Sequence, residues 1–182
     1  MNIKLFFCLV FCNLTLGSYY LYAEEQVDLV IDSRFSINIF ATDIDSPRQM
    51  AEDLDGRVYV GSKKAGKIFA LNDSDKNGQV DEKILIAEGL TFATGVSFFK
   101  GDLFFSEINK IWKIENIANY FKTNLDQLPK KVLVTDNLPS EEWHGWKWIK
   151  HDVDGNLYTN VGAPCNICVR GDKRFATLLR LK

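Results

Sequence analysis

Three of the four tryptophans of this 182-residue chain fall within residues 143–148, and one of its two histidines, His144, lies among them. An imidazole titrates near neutral pH, so an accessible His144 is a candidate general base. Gly145 beside it allows close approach of another group. On a strand, His144, Trp146 and Trp148 share one face. The competing reading is a sheet edge lined with packed aromatics and a hydrogen-bonded histidine. The other histidine, His151, falls on the opposite face by the same count and runs toward a turn.

A second constellation is acidic. Asp73, Asp75 and Asn77 alternate, Gly78 follows, Gln79 offers a backbone carbonyl, and Asp81 adds a carboxylate. This order of oxygens matches the first half of a calcium loop. The bidentate glutamate that should close such a loop is replaced by Ile84, and both flanks read as strands. An EF-hand is therefore the wrong reading. An inter-strand calcium loop, with Glu82 as a further oxygen, stands beside a solvated acidic turn. The third constellation is Cys165 and Cys168. One such pair falls short of the four ligands zinc requires. Val169 stands where a c-type haem motif needs histidine, and no βαβ context for a redox motif is apparent. In an oxidising compartment the pair reads as a local disulfide.

The elements that must position these residues are short strands separated by tight turns. Three stretches look alike: 50–71, 96–114 and 148–162, the last joined later by a strand at 176–181. Each has a strand, a turn at Asp55-Gly56, Lys100-Gly101 or Asp154-Gly155, and a second, alternating strand. A type I′ hairpin, which needs positive φ, is expected at each turn glycine. Repeats of roughly 40–55 residues with several strands apiece are the signature of propeller blades. The expected fold is thus all-β, a β-propeller of which this chain covers about three blades. Closed propellers have about 4–8 blades, and the chain stops inside an alternating strand. It is therefore expected to be the N-terminal part of a longer protein.

Composition narrows the function classes. Aromatics make up 13% of the chain and the formal net charge is only −2, which argues against extended disorder. Lysine plus arginine, 22, do not outnumber the 24 acids, so no nucleic-acid footprint is expected. Residues 1–23 carry one charge, Lys4, then an apolar run, then Leu21 and Ala23 before two glutamates. This is the pattern of a secretory signal peptide. The apolar stretch is short of the roughly 20 residues a spanning helix needs. The expected organisation is a cleaved leader, 1–23, followed by a periplasmic or secreted propeller segment, 24–182, with no stable membrane span.

The segments MAEDLDGRVYVGS, GKIFALNDSDKNGQVDE, GLTFATGVSFFKGDLFFSEINKIWKI and above all HGWKWIKHDVDGNLYTNVGAPCNIC resemble the soluble quinoprotein glucose/sorbosone dehydrogenase family, in particular its sorbosone dehydrogenase-like branch. The resemblance implies a six-bladed propeller that binds pyrroloquinoline quinone (PQQ), usually with calcium. It implies oxidation of a sugar or aldehyde with electrons passed to an acceptor. His144 is then the base that takes the hydroxyl proton as hydride passes to the quinone. Lys147 stands where the family usually has arginine, and with Trp146 it is expected to contact the cofactor. The loss of a planar guanidinium there implies weaker carboxylate anchoring. The family's remaining cofactor ligands would lie beyond Lys182, so this stretch alone is expected to be inactive. The Asp73–Asp81 loop is a separate feature from the cofactor calcium. A non-catalytic, calcium-stabilised binding propeller is the alternative from a different functional class.

Overall fold

A computed structural model describes residues 30–123, 125–168 and 171–182. The expected leader, 1–23, lies outside the described residues. The chain divides into two units, Met1–Ile37 and Asn38–Lys182. In the first, the described residues include a turn in which the Arg34 guanidinium pairs with the Asp32 carboxylate at 2.9 Å.

The second unit contains three antiparallel sheets. The first is a meander of β1 (Pro47–Glu52), β2 (Val58–Ser62), β3 (Lys67–Asn72) and β4 (Glu82–Ala87). The second is β5 (Val96–Phe99), β6 (Asp102–Ser106), β7 (Ile111–Ile114) and β8 (Val132–Thr135), with a single helical turn, α1 (Ile117–Tyr120), before β8. The third comprises β9 (Ile149–His151), β10 (Leu157–Val161) and β11 (Thr177–Leu181). The first strands of successive sheets, β1, β5 and β9, stand side by side. This is part of a β-propeller, as the repeats predict. The acidic loop joins β3 to β4 inside the first blade, rather than separating two repeat units.

Blade-on-blade packing explains why β2 is buried from Tyr59 to Ser62 rather than alternating. Tyr59, Ile68, Ala70 and Ile86 of the first sheet share a core with Val96, Leu103 and Phe105 of the second. Ile111, Ile149 and Leu157 carry a smaller core onward to the third. Each large side chain fully buried this way contributes about 1.5–3 kcal/mol. Gln49 adds a polar tie between the first and third sheets. Its Nε2 donates to the Ile149 carbonyl at 2.6 Å, and its Oε1 accepts the Ile149 N–H at 3.0 Å.

The turns correct the hairpin expectation. Only Lys100-Gly101 has two consecutive positive φ angles, 49° and 93°, as a type I′ turn requires. In the first and third sheets the glycine alone is left-handed, at φ 87° for Gly56 and 91° for Gly155. The cause is an aspartate three residues earlier. Asp53 Oδ1 accepts the N–H groups of Asp55 and Arg57, and Asp152 Oδ1 accepts those of Asp154 and Asn156, all at 2.9–3.0 Å. Each carboxylate thus builds a three-residue loop, a turn followed by a glycine bulge. In both cases Oδ2 also accepts a tyrosine hydroxyl, from Tyr59 or Tyr158.

Candidate functional site

Residues 141–148 are not a strand. They form a turn and an irregular stretch that enters β9. Pairing fails because the Gly145 N–H turns back onto the Glu142 carbonyl at 3.1 Å, and because His144 adopts a left-handed backbone, φ 53°. The shared face of His144, Trp146 and Trp148 therefore does not arise from strand alternation. All three indoles are nonetheless exposed, Trp143 by 60%, Trp146 by 41% and Trp148 by 46%. The chain presents them to solvent instead of packing them.

His144 is exposed, and its Nδ1 lies 3.0 Å from the Ala163 carbonyl oxygen. A carbonyl only accepts, so Nδ1 carries the proton and Nε2 of the neutral ring is left as a base. Ala163 follows β10 after Gly162, so the end of the sheet sets the tautomer. Gly162 permits this approach: a Cβ there would overlap the His144 carbonyl. Cys165 and Cys168 are joined in the same connection, with Cα atoms 5.9 Å apart. His151 is half-buried instead. It stacks on Phe99 at 4.8 Å, contacts Phe104, and shares a hydrogen bond with the Ser97 hydroxyl. Burial lowers its pKa.

Trp146 is the wall between two clefts. One, of about 460 Å³, is lined by Pro47, Arg48, Gln49, Thr94 and Trp148 with Lys147. The other, of about 420 Å³, is lined by Lys63, Phe92, Glu142, Trp143 and His144. The Lys63 ammonium sits 3.5 Å from the Trp146 ring centroid, and the Arg48 guanidinium 5.9 Å from it. Sequence reading misses both cations. Arg48 stands just before a segment quoted for the resemblance, but nothing in the spacing places either beside Trp146.

Lys147 is corrected. Its side chain is buried, 1% exposed, and its ammonium donates to the backbone carbonyls of Gly145 and Pro139. Burial pulls its pKa down to about 8, against the pull of Glu141. The Lys147 carbonyl accepts the hydroxyls of Thr94 and Ser106, both at 2.9 Å. The residue ties the loop to the second blade and does not offer its charge to either cleft.

In the acidic loop, one carboxylate oxygen each from Asp73, Asp75 and Asp81 lies within 4.8 Å of the others. Asp73 accepts the N–H groups of Asn77 and Gly78. Asp75 accepts the Asn77 side-chain amide, and Asn77 Oδ1 accepts the Gln79 N–H. Asp81 accepts both the N–H and the hydroxyl of Ser74 at 2.7 Å, which lowers its pKa. The three aspartates are thus gathered, while the Asn77 oxygen is engaged inside the loop. This cluster hangs between outer strands, and His144 precedes an innermost strand.

Among solved structures, the PQQ-bound aldose sugar dehydrogenase from Streptomyces coelicolor is similar at 17% identity and a TM-score of 0.57, over 80% of this chain and 47% of that one. The Trichoderma reesei carbohydrate-active enzyme of family AA12 gives a TM-score of 0.56 at 16% identity, over 70% and 33%. The PQQ domain of Coprinopsis cinerea pyranose dehydrogenase gives 0.55 at 14%, over 68% and 29%. These likenesses concern the fold alone, which is part of a β-propeller. An uncharacterized protein of Borreliella burgdorferi is 25% identical over 181 residues, which is 95% of this chain and 46% of the relative, so the chain spans about half of that protein's length. The profile of a family described as a domain of unknown function, DUF7133, matches residues 23–176, and the chain belongs to that family.

Proposed function

We propose that this chain forms the His144-bearing part of an exported, PQQ-dependent dehydrogenase of sugars or related aldehydes, of the sorbosone dehydrogenase-like type, with residues 1–23 as its leader. The observation that carries this reading is His144 itself. It stands exposed at the rim of an indole-lined cleft, with Nδ1 committed to Ala163 and Nε2 left as the base. The donor set suits a planar polyanion, because an exposed indole is flanked by two cations. Trp146 would hold the group by its face, and a bound quinone would supply the two-electron acceptor for substrate hydride. His144 takes the substrate hydroxyl proton at Nε2. The Ala163 carbonyl stabilises the imidazolium that results, since Nδ1–H points at it. Trp143 lies beside the ring, its centroid 5.3 Å from that of the imidazole. The electron acceptor takes the reducing equivalents in a separate step.

The gathered carboxylates of Asp73, Asp75 and Asp81 favour a second role, a calcium site in the loop that also includes Asn77 and Gln79. A calcium-stabilised propeller without catalysis would use only that loop. The two readings separate by PQQ titration followed by sugar-dependent dye reduction on the full-length protein. Dye reduction that depends on both PQQ and His144 supports the dehydrogenase. Binding of calcium without PQQ binding supports the module.

A further inference from the structure

The joint between the second and third blades holds a titratable group that no step of the proposed reaction uses. His151 ends β9, and its imidazole is half-buried against β5 and β6. It stacks on Phe99 with centroids 4.8 Å and planes 10° apart, and Phe104 closes a second side at 4.4 Å. Gly155 of the β9–β10 turn lies on the edge of the same Phe99 ring, where a Cβ would come within 3.1 Å. Ser97, 1% exposed, fixes the protonation state. Its Oγ accepts the His151 backbone N–H at 3.2 Å and lies 3.0 Å from Nδ1. Among the described residues Nδ1 is the only acceptor for the Ser97 hydroxyl hydrogen, so the hydroxyl donates and Nδ1 carries no proton. A proton on Nδ1 would point at that hydrogen and leave a buried hydroxyl without an acceptor, between two phenyl rings.

The charges around the ring do not offset this. No carboxylate lies within ion-pair distance of the imidazole among the described residues. In its own sheet, Asp152 is the neighbouring carboxylate, but its oxygens accept from Asp154, Asn156 and Tyr158. Lys150 and Arg180 stand in register with Tyr158, on the opposite face from His151. In the second blade, the Lys100 ammonium lies 5.1 Å from the Phe99 centroid, and Asp102 and Glu115 are both paired with Lys113. The first joint has no such group: Tyr59, Ile68, Ala70 and Ile86 close it against Val96, Leu103 and Phe105.

We propose that His151 is a proton-operated latch, which closes the third blade onto the second when neutral and releases the turn end of the third blade when protonated, while the first two blades stay joined. The latch does not depend on the quinoprotein reading. Burial lowers the His151 pKa from the ordinary 6.5, with Asp152 opposing the shift and Lys150 adding to it. A released imidazole therefore takes up a proton before the latched one does. The latch is at full strength above about 6.5 and weakens as the pH falls from there toward the pKa of the latched form. Asp152 stays ionised through this window, because the Asn156 amide holds its carboxylate below the usual range.

The test is amide hydrogen exchange of the full-length protein, read by mass spectrometry at about pH 7.5 and about pH 5.5 and corrected for the intrinsic rates. In the wild type, protection over residues 149–161 should fall by about 3- to 10-fold at the lower pH, one proton being worth at most about tenfold per pH unit. Protection over residues 58–72 should not change. His151→Asn leaves an acceptor for Ser97, and His151→Phe keeps the ring stack; in either variant the loss at low pH should disappear. An NMR titration of the wild-type imidazole, assigned by its absence in a variant, gives a reading that needs no stable mutant. A midpoint below the ordinary value supports the latch, and one at or above it overturns the latch. Equal protection at both pH values in the wild type, or an acid loss that persists without His151, also overturns it.

Discussion

The loop that enters β9 and the loop between β3 and β4 both crowd like charges, and they are built in opposite ways. Around Trp146 the cations are the side chains of Arg48 and Lys63, far in sequence from the indole they meet, and the scaffold beneath is buried: the Lys147 aliphatic stem, Thr94 and Ser106 have almost no exposure. Around Asp73 the carboxylates come from nine consecutive residues, and the scaffold is the loop's own N–H groups. The first arrangement depends on tertiary packing. The second is written locally and needs only the two strands that hold its ends. Damage should therefore spread from the first loop into the fold, and stay confined in the second.

The sharpest break between the loops is catalytic. His144→Ala in the full-length protein should lower kcat by about 10²–10⁴-fold, the usual contribution of a positioned general base, with PQQ affinity retained. Asp75→Ala should leave kcat within about twofold. Steady-state dye reduction at saturating PQQ measures both, and an active His144→Ala enzyme would return the histidine to a surface role.

Gly162→Ala tests whether packing sets the base. A methyl there collides with the His144 carbonyl, so the loop must shift. An activity loss of about 10- to 100-fold is expected, with the free energy of unfolding lowered by about 1–3 kcal/mol, as for other forced overpacking. Loss of stability with full activity would uncouple β10 from His144.

Lys147 gives the comparison a pH dependence. Its folded pKa of about 8 lies below the ordinary 10.5, because burial penalises the charge. Between these values the unfolded chain holds a proton that the folded chain has released, so stability rises with pH through this window. A gain of about 1–2 kcal/mol from pH 8 to pH 10 is expected in urea melts, and Lys147→Met should flatten it. A slope unchanged in the variant would place the titrating group elsewhere.

The smallest effect belongs to the acidic loop. Calcium at about tenfold above its Kd should stabilise the protein by about 1.4 kcal/mol, a rise of a few degrees in Tm. Asp75→Ala should remove most of that rise while leaving the calcium-free Tm nearly unchanged. Equal calcium shifts in both proteins would take the ion away from this loop.

The same contrast explains what could be read in advance. The Asp-x-Asp-Gly loops and the alternating strands are local patterns, so the blades and the acidic loop are visible in the chain, although the carboxylate that selects the turn type is easily overlooked. Residues 143–148 mislead because tryptophans favour strands, while the backbone there is decided by what it packs on, the hydroxyls of Thr94 and Ser106 and the Ala163 carbonyl. Lys147 looks like a ligand by motif and becomes a tie because its ammonium reaches Gly145 and Pro139 first. Arg48 and Lys63 acquire meaning only when the first blade is set beside the third. Strand β8 is hidden for another reason: it is short, largely exposed, and separated from β7 by α1 and a polar stretch.

The Gln49 amide, paired with both backbone groups of Ile149, bears on how such a chain is assembled. It imitates a peptide unit across 100 positions of sequence. Neither partner is satisfied until the whole second sheet has been made and seated between them. On the ribosome this contact can close only after the first strand of the third blade has emerged, and it ties the first blade synthesised to the third. Early blades can form their hairpins independently, and the Gln49 amide then couples the inner end of the first to that of the third.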